Sequence, residues 1–430
     1  MRGAHGTQPV TLTLANFFGL LGGLLVLAFV ANRLSRRTRV PDVLVLLVCG
    51  IVLGPVLHWI NAARFPQVIR GVGTLALILI LFAAGLELDL RRARKQFVSG
   101  TVLAVLSYGL TMAGVELFCA HVLKMPRMAA LLVAASLACM SGSIVLPILD
   151  QLDLRHDLKT TLVIEASFGD GLGALVVGVL LGMVGGGAAS TTSGGAILGG
   201  VVAQFVFRFV LAFVIAVVAG FLWARLLPHI SNKQFWQVLT FAAVLIVYSG
   251  THAVGGSELF AVMVFGATLA SLIGPESFLH EFEFEVISTD KGDQIHSFHS
   301  ELAFLVRSFF FVLLGAMIQF KGLRVQILPS LGILAVFLIA RFISVSASRV
   351  TWRGTSERER ELAMLLIPRG LITAVLALEA IEAMPVDLEF LPSLTFALIL
   401  FTNILVLVAS IRAKALAVGS DVAAGSEAAG

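Results

Sequence analysis

Thirteen long apolar stretches constrain the fold of this chain more than any other feature of its sequence. Each is about 20 residues long, the length that an α-helix needs to cross the hydrocarbon core of a bilayer, about 30 Å thick. Only 13% of the residues are charged and 58% are hydrophobic, whereas a soluble domain carries about 25% charged residues. We therefore expect an all-α polytopic membrane protein with helices over 11–33, 40–59, 70–90, 97–122, 127–149, 158–184, 197–227, 235–253, 257–274, 299–320, 325–348, 360–383 and 390–412.

The basic residues between these stretches predict how the chain lies in the membrane. Of the 30 Lys and Arg residues, 19 fall in loops on one side, 7 on the other and 4 inside the spans. Because cytoplasmic loops carry the excess of basic residues, we expect the N-terminus outside and the C-terminus in the cytoplasm, across the inner membrane. The sequence divides into an outer segment (1–10), a transmembrane domain (11–412) and a short disordered cytoplasmic tail (413–430). The net charge of +4 arises from these loops and does not indicate a nucleic-acid partner.

Two acids and one arginine inside the apolar stretches point to chemistry at membrane depth. Glu165 and Asp170 lie in the sixth span, and Arg369 lies in the twelfth. A charged side chain at the centre of a span costs about 2.5–3.5 kcal/mol, so such residues usually face a cavity and mark an ion or proton path. A buried guanidinium needs a carboxylate, and we predict that Arg369 pairs with Glu165. Asp170 then has no fixed cation, and it would bind either a proton or a small cation near neutral pH. Arg208 and Arg341, which also lie inside the spans, are assigned no role.

Two spans contain residues that interrupt a helix. The fifth span holds Gly142 in the run Cys139–Ser143, and the twelfth holds Pro368 and Gly370 on either side of Arg369. Proline removes a backbone donor and glycine weakens a helix. Interrupted helices in corresponding halves of a transporter are typical of an ion site at the membrane midplane. We therefore predict helix breaks at Gly142, Pro368 and Gly370, close to the transported ion.

Several of these segments together resemble the monovalent cation:proton antiporter family, especially its prokaryotic sodium/hydrogen exchanger branch. The stretch from Glu165 to Asp170 is similar to the family's signature span, which reads Glu-Ser, two residues, then Asn-Asp. Pro368-Arg369-Gly370 is similar to the Arg-Gly motif of the late unwound helix. Each segment alone is weakly specific, but their order and spacing are specific. The other similar segments are Val40–Gly50 with Leu53–Pro55, Phe82–Leu88, Ser257–Gly266 and Phe309–Gly315.

The resemblance implies a fold and roles for individual residues. The fold is an inverted repeat with two crossed, broken helices, in which a core moves against a dimerisation domain of a homodimer. Asp170 would bind the cation or the proton, and Glu165 with Arg369 would form a structural ion pair. No cofactor is implied.

The sequence also departs from the family pattern around Asp170. The family's Thr-Asp-Pro in the fifth span aligns with Met140-Ser141-Gly142, its Asn before the key Asp is Gly169, and the Ser after the Glu is Ala166. Several side-chain oxygens that surround the cation are therefore missing. The candidate replacements are the backbone carbonyls around Met140 and the hydroxyls at three positions: Ser141, Ser143 and Ser167.

These observations favour a secondary-active antiporter that exchanges Na⁺, or Li⁺ or K⁺, for H⁺ and serves pH homeostasis. One available carboxylate predicts electroneutral exchange, and the expected partners are the ions, membrane lipid and a second copy of the chain. Two other functions stay open on the same fold. One is a potassium-efflux channel-like protein, and the other is a membrane sensor or partner subunit that does not transport ions. We do not expect an enzyme, because the sequence contains no catalytic triad, metal cluster or cofactor loop.

Overall fold

The computed structural model of this chain is helical, without a strand, over the residues that it describes. These residues are 14–38, 40, 42–59, 66–87, 94–149, 152, 154–185, 194–230, 235–272, 289–318, 320–348 and 356–427. The helices are α1 (Leu14–Thr38), α2 (Asp42–Ile51), α3 (Pro66–Glu87), α4 (Arg94–His121), α5 (Arg127–Ala138), α6 (Gly142–Leu149), α7 (His156–Gly185), α8 (Gly194–Leu226), α9 (Trp236–Ala253), α10 (Glu258–Ser271), α11 (Thr289–Ala316), α12 (Phe320–Ala347), α13 (Glu357–Leu365), α14 (Leu371–Ala383) and α15 (Leu391–Glu427).

Each of the thirteen predicted spans falls on one helix or on an interrupted pair of helices. Within the described residues, seven helices are long and apolar enough to cross a membrane. The other spans are shorter or are divided into two pieces, as α5 with α6 and α13 with α14 are. The second span is α2 extended by a π-helical turn, Val52–Val56, which contains Pro55. Proline cannot donate a hydrogen bond, so a local change of helix type is expected there. The predicted fold class is confirmed.

The two interrupted helices cross each other at their breaks. Residues 139–141 lie outside helix between α5 and α6, and residues 366–370 lie outside helix between α13 and α14. The backbone N–H of Ser141 donates to the carbonyl oxygen of Pro368 over 2.9 Å. Gly370 packs against Ser141 so closely that a Cβ on Gly370 would overlap the Ser141 side chain. The crossing therefore depends on the absence of a side chain at Gly370.

The same order of elements occurs twice in the fold. In the first half, α4 and α7 pack on each other and enclose the broken helix α5–α6; in the second half, α12 and α15 do the same for α13–α14. The fourth and eleventh spans are separated by seven crossings, so they run in opposite directions, and the two repeats are inverted relative to each other. We call these eight helices the core unit.

The remaining helices form a second unit, which we call the flanking unit. Its helices α2 and α3 both pack on α11, while α10 packs on α3, α8 and α9. Two of these contacts bring glycines face to face: Gly50 against Gly315, and Gly85 against Gly266. A Cβ built on Gly85 would lie 3.1 Å from the Cα of Gly266. Small residues let helix backbones approach closely in a membrane, where packing drives helix association.

Of the seven described helices that are long and apolar enough to cross a membrane, α8 is the most exposed to its surroundings. Only 17% of the window Val206–Leu226 is buried, whereas 65% of the window Gln67–Leu86 on α3 is buried. The exposed residues of α8 are large and apolar, and include Phe207 and Phe213. Such a surface requires lipid or another protein subunit to cover it.

The structure differs from the expected disordered tail. Helix α15 continues through the predicted boundary at residue 412 and ends only at Glu427. The segment after Lys414 is rich in alanine, the residue with the highest intrinsic helix propensity. Once α15 is nucleated by its packed part, extending the helix costs less than starting a new one.

Candidate functional site

Helix α7 carries Glu165 and Asp170 on different sides. Five residues along an α-helix correspond to a rotation of about 140° and a rise of about 7.5 Å. Both side chains are buried, with exposed fractions of 2% and 3%. The two carboxylates therefore face different neighbours and do not form an acid pair.

Glu165 forms its ion pair with Arg341 of α12, so the predicted pair with Arg369 is wrong. The Nη1 atom of Arg341 donates to Oε1 of Glu165, and both side chains are 2% exposed. The Nε atom of Arg341 donates to the carbonyl oxygen of Ala363 over 2.8 Å, which links α12 to α13. Glu165 lies about 140° from Asp170 around α7, on the side of the helix where Arg341 of α12 reaches it. Since truncating one partner of a buried pair leaves an uncompensated charge, this pair anchors α7 in the core unit.

Arg369 lies in the break between α13 and α14 and reaches across to the other broken helix. Its Nη1 atom donates to the carbonyl oxygen of Cys139 over 2.5 Å. Its guanidinium carbon lies 4.2 Å from the centre of the Phe337 ring, a distance typical of a cation–π contact. Thr373 also donates to the carbonyl of Cys139, over 3.5 Å. A carbonyl and an aromatic face therefore replace the predicted carboxylate as the surroundings of this guanidinium.

Asp170 contacts the break between α5 and α6 at its α6 end, whereas Arg369 contacts that break at Cys139, its α5 end. Its Oδ2 atom accepts a hydrogen bond of 3.1 Å from the backbone N–H of Gly142, the first residue of α6. Its Oδ1 atom is buried and has no hydrogen-bond partner within the described structure. The N-terminus of a helix stabilises a nearby negative charge, so α6 holds one carboxylate oxygen. The second oxygen remains available to a proton or a cation.

The structure places three of the four other predicted ligands near this carboxylate, and the side chain of the fourth is not described. Met140 and Ser141 are in the break itself and are 6% and 3% exposed. Ser167 precedes Asp170 by three residues, so both lie on neighbouring positions of the α7 surface, and its Oγ atom is buried with no hydrogen-bond partner among the described residues. The side chain of Ser143 lies outside the described residues. The ligand roles of these residues stay predictions.

The side chains that sequence reasoning missed are on α15. The Oγ1 atom of Thr402 accepts from the backbone N–H of Arg369 over 3.1 Å, and Nδ2 of Asn403 donates to the carbonyl oxygen of Arg369 over 2.9 Å. Residues 367–369 lie outside the helical hydrogen-bond ladders of α13 and α14, and a buried backbone group left unpaired costs about 1–3 kcal/mol. The available signal was an adjacent Thr-Asn pair in an otherwise apolar span, 33 and 34 residues after Arg369.

A small cluster of buried polar atoms therefore surrounds the crossing. The described residues contribute several such atoms without a hydrogen-bond partner: Glu165 Oε2, Ser167 Oγ, Asp170 Oδ1, Arg341 Nη2, Arg369 Nε and Asn403 Oδ1. Buried polar groups without protein partners are the places where ordered water or an ion binds. A neutral, protonated Asp170 and an ionised Asp170 with a bound monovalent cation carry the same net charge.

A cavity of about 570 Å³ opens where the two units meet. It lies between α3 of the flanking unit and α14 of the core unit, and its polar lining includes Gln67, Thr74 and Glu382. Within the stretch of α3 that lines this cavity, Gly73 packs against Val375 of α14 and Phe310 of α11. The boundary between the units is thus open at one end, while Asp170 itself stays buried.

Comparison with known proteins gives consistent matches over most of the chain. Residues 24–417 match the family described as "Sodium/hydrogen exchanger, transmembrane". The Na(+)/H(+) antiporter 1 of Methanocaldococcus jannaschii is 24% identical over 376 residues, which cover 84% of this chain and 82% of that protein. The K(+)/H(+) antiporter NhaP of Alkalimonas amylolytica is 25% identical over 84% of this chain and 59% of its own length.

The fold is similar to that of a solved structure. The sodium proton antiporter MjNhaP1 from Methanocaldococcus jannaschii at pH 8 superposes with a TM-score of 0.75 at 21% sequence identity. The superposition covers 93% of this chain and 98% of that structure. The architecture of crossed, broken helices is therefore shared along almost the whole length.

Proposed function

The chain belongs to the sodium/hydrogen exchanger family, and we propose that it is a secondary-active antiporter that exchanges a monovalent cation for H⁺. One observation carries this proposal: Asp170 is a buried carboxylate at a helix break with one oxygen fixed by Gly142 and one without a hydrogen-bond partner among the described residues. Such a group alternates between a protonated and a cation-bound form. The named relatives exchange Na⁺ or K⁺ for H⁺. We propose Na⁺ as the cation, with Li⁺ and K⁺ as alternatives to be tested.

The proposed mechanism is alternating access around the crossing. The proton and the cation compete for Asp170, and only the neutral site, occupied by one of them, moves across the membrane. A buried carboxylate that carries neither ligand is strongly disfavoured in an apolar medium. The core unit would move against the flanking unit along their boundary, where α3 meets α14, and expose Asp170 to one side at a time. This competition couples the two ion gradients.

The exchange is proposed to be electroneutral. Glu165, the other buried acid of α7, already has a fixed counter-charge in Arg341. Asp170 is therefore the buried acid of α7 that remains to change its ligand, and it exchanges one proton for one monovalent cation.

The cellular setting is part of the same proposal. We place the protein in the cytoplasmic membrane with its N-terminus outside, because the basic residues concentrate in the loops on the opposite side. The apolar surface of α8 suits contact with lipid and with a second copy, and we propose a homodimer. The proposed role is ion transport for pH homeostasis, without enzymatic activity.

The decisive experiment compares wild type with Asp170→Asn in everted membrane vesicles that contain a pH-sensitive dye. Addition of Na⁺, Li⁺ or K⁺ to wild-type vesicles should dequench the dye for the transported cation, and Asp170→Asn should give no response. Asparagine keeps the shape and can still accept from Gly142, so folding is preserved. Glu116→Gln on α4 makes the same chemical change in another span and should transport as wild type does.

Each other outcome identifies a different function. Exchange that persists in Asp170→Asn contradicts the assignment of this carboxylate. Cation flux that does not depend on a proton gradient indicates the channel-like alternative. Absence of flux for all cations in wild type, together with stable binding of a protein partner, indicates the sensor or partner subunit. A rate that changes when a K⁺ diffusion potential is imposed contradicts electroneutral exchange.

A further inference from the structure

Two buried residues of α15 take over the backbone hydrogen bonds of Arg369. Thr402 and Asn403 are both 0% exposed. The hydroxyl of Thr402 donates to the carbonyl of Leu398 over 2.7 Å, which leaves its oxygen free to accept from the Arg369 N–H. Nδ2 of Asn403 lies 2.7 Å from the carbonyl oxygen of Ile399 and 2.9 Å from that of Arg369. Both of these partners are acceptors, so the orientation of the amide is determined by its contacts.

These contacts continue from α15 to Asp170 through a chain of direct interactions. Thr402 and Asn403 fix the backbone of Arg369, and the guanidinium of Arg369 donates to the carbonyl of Cys139. Cys139 begins the break that leads into Gly142, whose N–H holds Oδ2 of Asp170. A displacement of Arg369 is therefore transmitted to the hydrogen bond that holds the carboxylate.

We propose that Thr402 and Asn403 are positioning residues of the exchange site, which act through Arg369 on the geometry of Asp170. This inference rests on the proposed function of Asp170. Neither residue would touch the cation. Their role would be to hold the break between α13 and α14 in the position from which Arg369 reaches the break between α5 and α6.

The surroundings of Asp170 determine which change the positioning residues can cause. The charged and titratable groups near the crossing are Arg369, Cys139, Tyr108 and the pair of Glu165 with Arg341. Tyr108 donates its hydroxyl hydrogen to the carbonyl of Ala135 over 3.1 Å. Of these groups, Arg369 is the one whose backbone α15 holds. The hydrogen bond from Gly142 favours the ionised form of Asp170. A looser Arg369 would weaken this hydrogen bond and so favour the protonated form.

The test uses the full chain, reconstituted in liposomes, and substitutions of matched size. Thr402→Val removes the acceptor but keeps the volume, whereas Thr402→Ser keeps the acceptor. We expect Thr402→Val to lower the maximal rate about tenfold, since small misplacements of a reacting group reduce rates strongly. We also expect the pH at half-maximal rate to rise by about half a unit or more, because the carboxylate binds its proton more tightly. Thr402→Ser should stay within about twofold of wild type in rate, with an unchanged pH profile.

Thr395→Val is the control on the same helix. Thr395 is also a buried threonine of α15, and its separation of seven positions from Thr402 leaves both within about 20° on the helix surface. It makes no hydrogen bond to Arg369 within the described structure, so its substitution should leave the pH profile unchanged. If Thr402→Val does not fold, Thr402→Cys takes its place, because a thiol is a weak acceptor of similar size and should shift the profile in the same direction.

Two results separate this inference from the proposed function. If Asp170→Asn is inactive but Thr402→Val or Thr402→Cys keeps the wild-type rate and pH profile, the positioning role is wrong and the function of Asp170 stands. If Asp170→Asn transports as wild type does, the proposed function fails first. A loss of rate in Thr402→Val and Thr395→Val alike, with no change in pH profile, also contradicts the positioning role.

Discussion

The break between α5 and α6 and the break between α13 and α14 occupy equivalent places in the two repeats, but side chains of different chemistry hold them. In the first repeat, the carboxylate of Asp170 on α7 accepts from the N–H of Gly142. In the second repeat, the hydroxyl of Thr402 and the amide of Asn403 on α15 bond both backbone groups of Arg369. A carboxylate changes charge with pH, whereas a hydroxyl and an amide do not. The first break can therefore respond to a proton, and the second serves as a fixed support.

The division between a titratable break and a fixed break also explains the position of the arginine. Arg369 is a permanent positive charge that sits in the fixed break and reaches across to the carbonyl of Cys139 in the other. In the proposed mechanism, its charge stays at the crossing while the ligand of Asp170 changes. The two repeats therefore contribute different charges to the crossing: the first contributes the carboxylate of Asp170, and the second contributes the guanidinium of Arg369.

The largest effect is expected from a double variant that exchanges the carboxylate at one break with the amide at the other. Asp170→Asn combined with Asn403→Asp places the carboxylate on α15 and the amide on α7. We expect exchange to stay at background, as in Asp170→Asn alone, because an aspartate at position 403 loses the donors that hold Arg369 in place. Dye dequenching in everted vesicles measures this. Recovery of exchange in the double variant would show that the two breaks are interchangeable.

A second prediction separates the anchoring of α7 from the exchange site. Arg341→Met should reduce the free energy of unfolding by about 3–5 kcal/mol, because Glu165 is left charged and unpaired in the interior. Adding Glu165→Leu should restore most of this loss, since a buried pair replaced by apolar residues is often nearly neutral. Denaturation in mixed micelles gives both values.

The control for the pairing of Glu165 with Arg341 is a pair of double-mutant cycles, one with Arg341 and one with Arg369. Glu165→Gln and Arg341→Gln should show a strong coupling, whereas Glu165→Gln and Arg369→Gln should add within about 0.5 kcal/mol. Coupling of Glu165 to Arg369 that exceeds its coupling to Arg341 would contradict the pairing described above.

The smallest effect concerns the oxygen-poor surroundings of Asp170. Gly169 is buried, yet a Cβ built on it meets no atom within 4 Å, so the first atom of a side chain has room there. Gly169→Asn adds an amide beside Asp170 and improves helix propensity. We expect the Michaelis constant for Na⁺ to fall about two- to fivefold, as one added polar contact of about 0.5–1 kcal/mol allows. Initial rates against Na⁺ concentration measure this, and an unchanged constant would mean that position 169 does not contact the cation.

Much of the fold was predictable because each span must satisfy its own backbone hydrogen bonds in lipid. This requirement makes length and apolarity sufficient to locate the helices, and the glycines and proline near residues 142 and 368 sufficient to locate the breaks. The tail beyond residue 412 was less predictable, because a small-residue composition is compatible with disorder and with helix alike.

The partners at the site were less predictable than the breaks. The choice between Arg341 and Arg369 for Glu165 depends on which face of α7 meets which helix. Periodicity already placed Glu165 and Asp170 about 140° apart, but it did not say what lies on either side. Thr402 and Asn403 give a weak signal for a similar reason, since polar residues in spans commonly bond only their own helix.

The sequence by itself determined that this chain spans a membrane many times, that two of its helices are interrupted and that Asp170 lies at the depth of those interruptions. Length, apolarity and the positions of glycine and proline suffice for these conclusions because they act within one span. The tertiary structure alone decided that Arg341 neutralises Glu165, that Arg369 holds the carbonyl of Cys139, and that α15 supports the second break. These contacts join residues that are 33 to 230 positions apart, and the packing of whole helices, rather than any local pattern, brings them together.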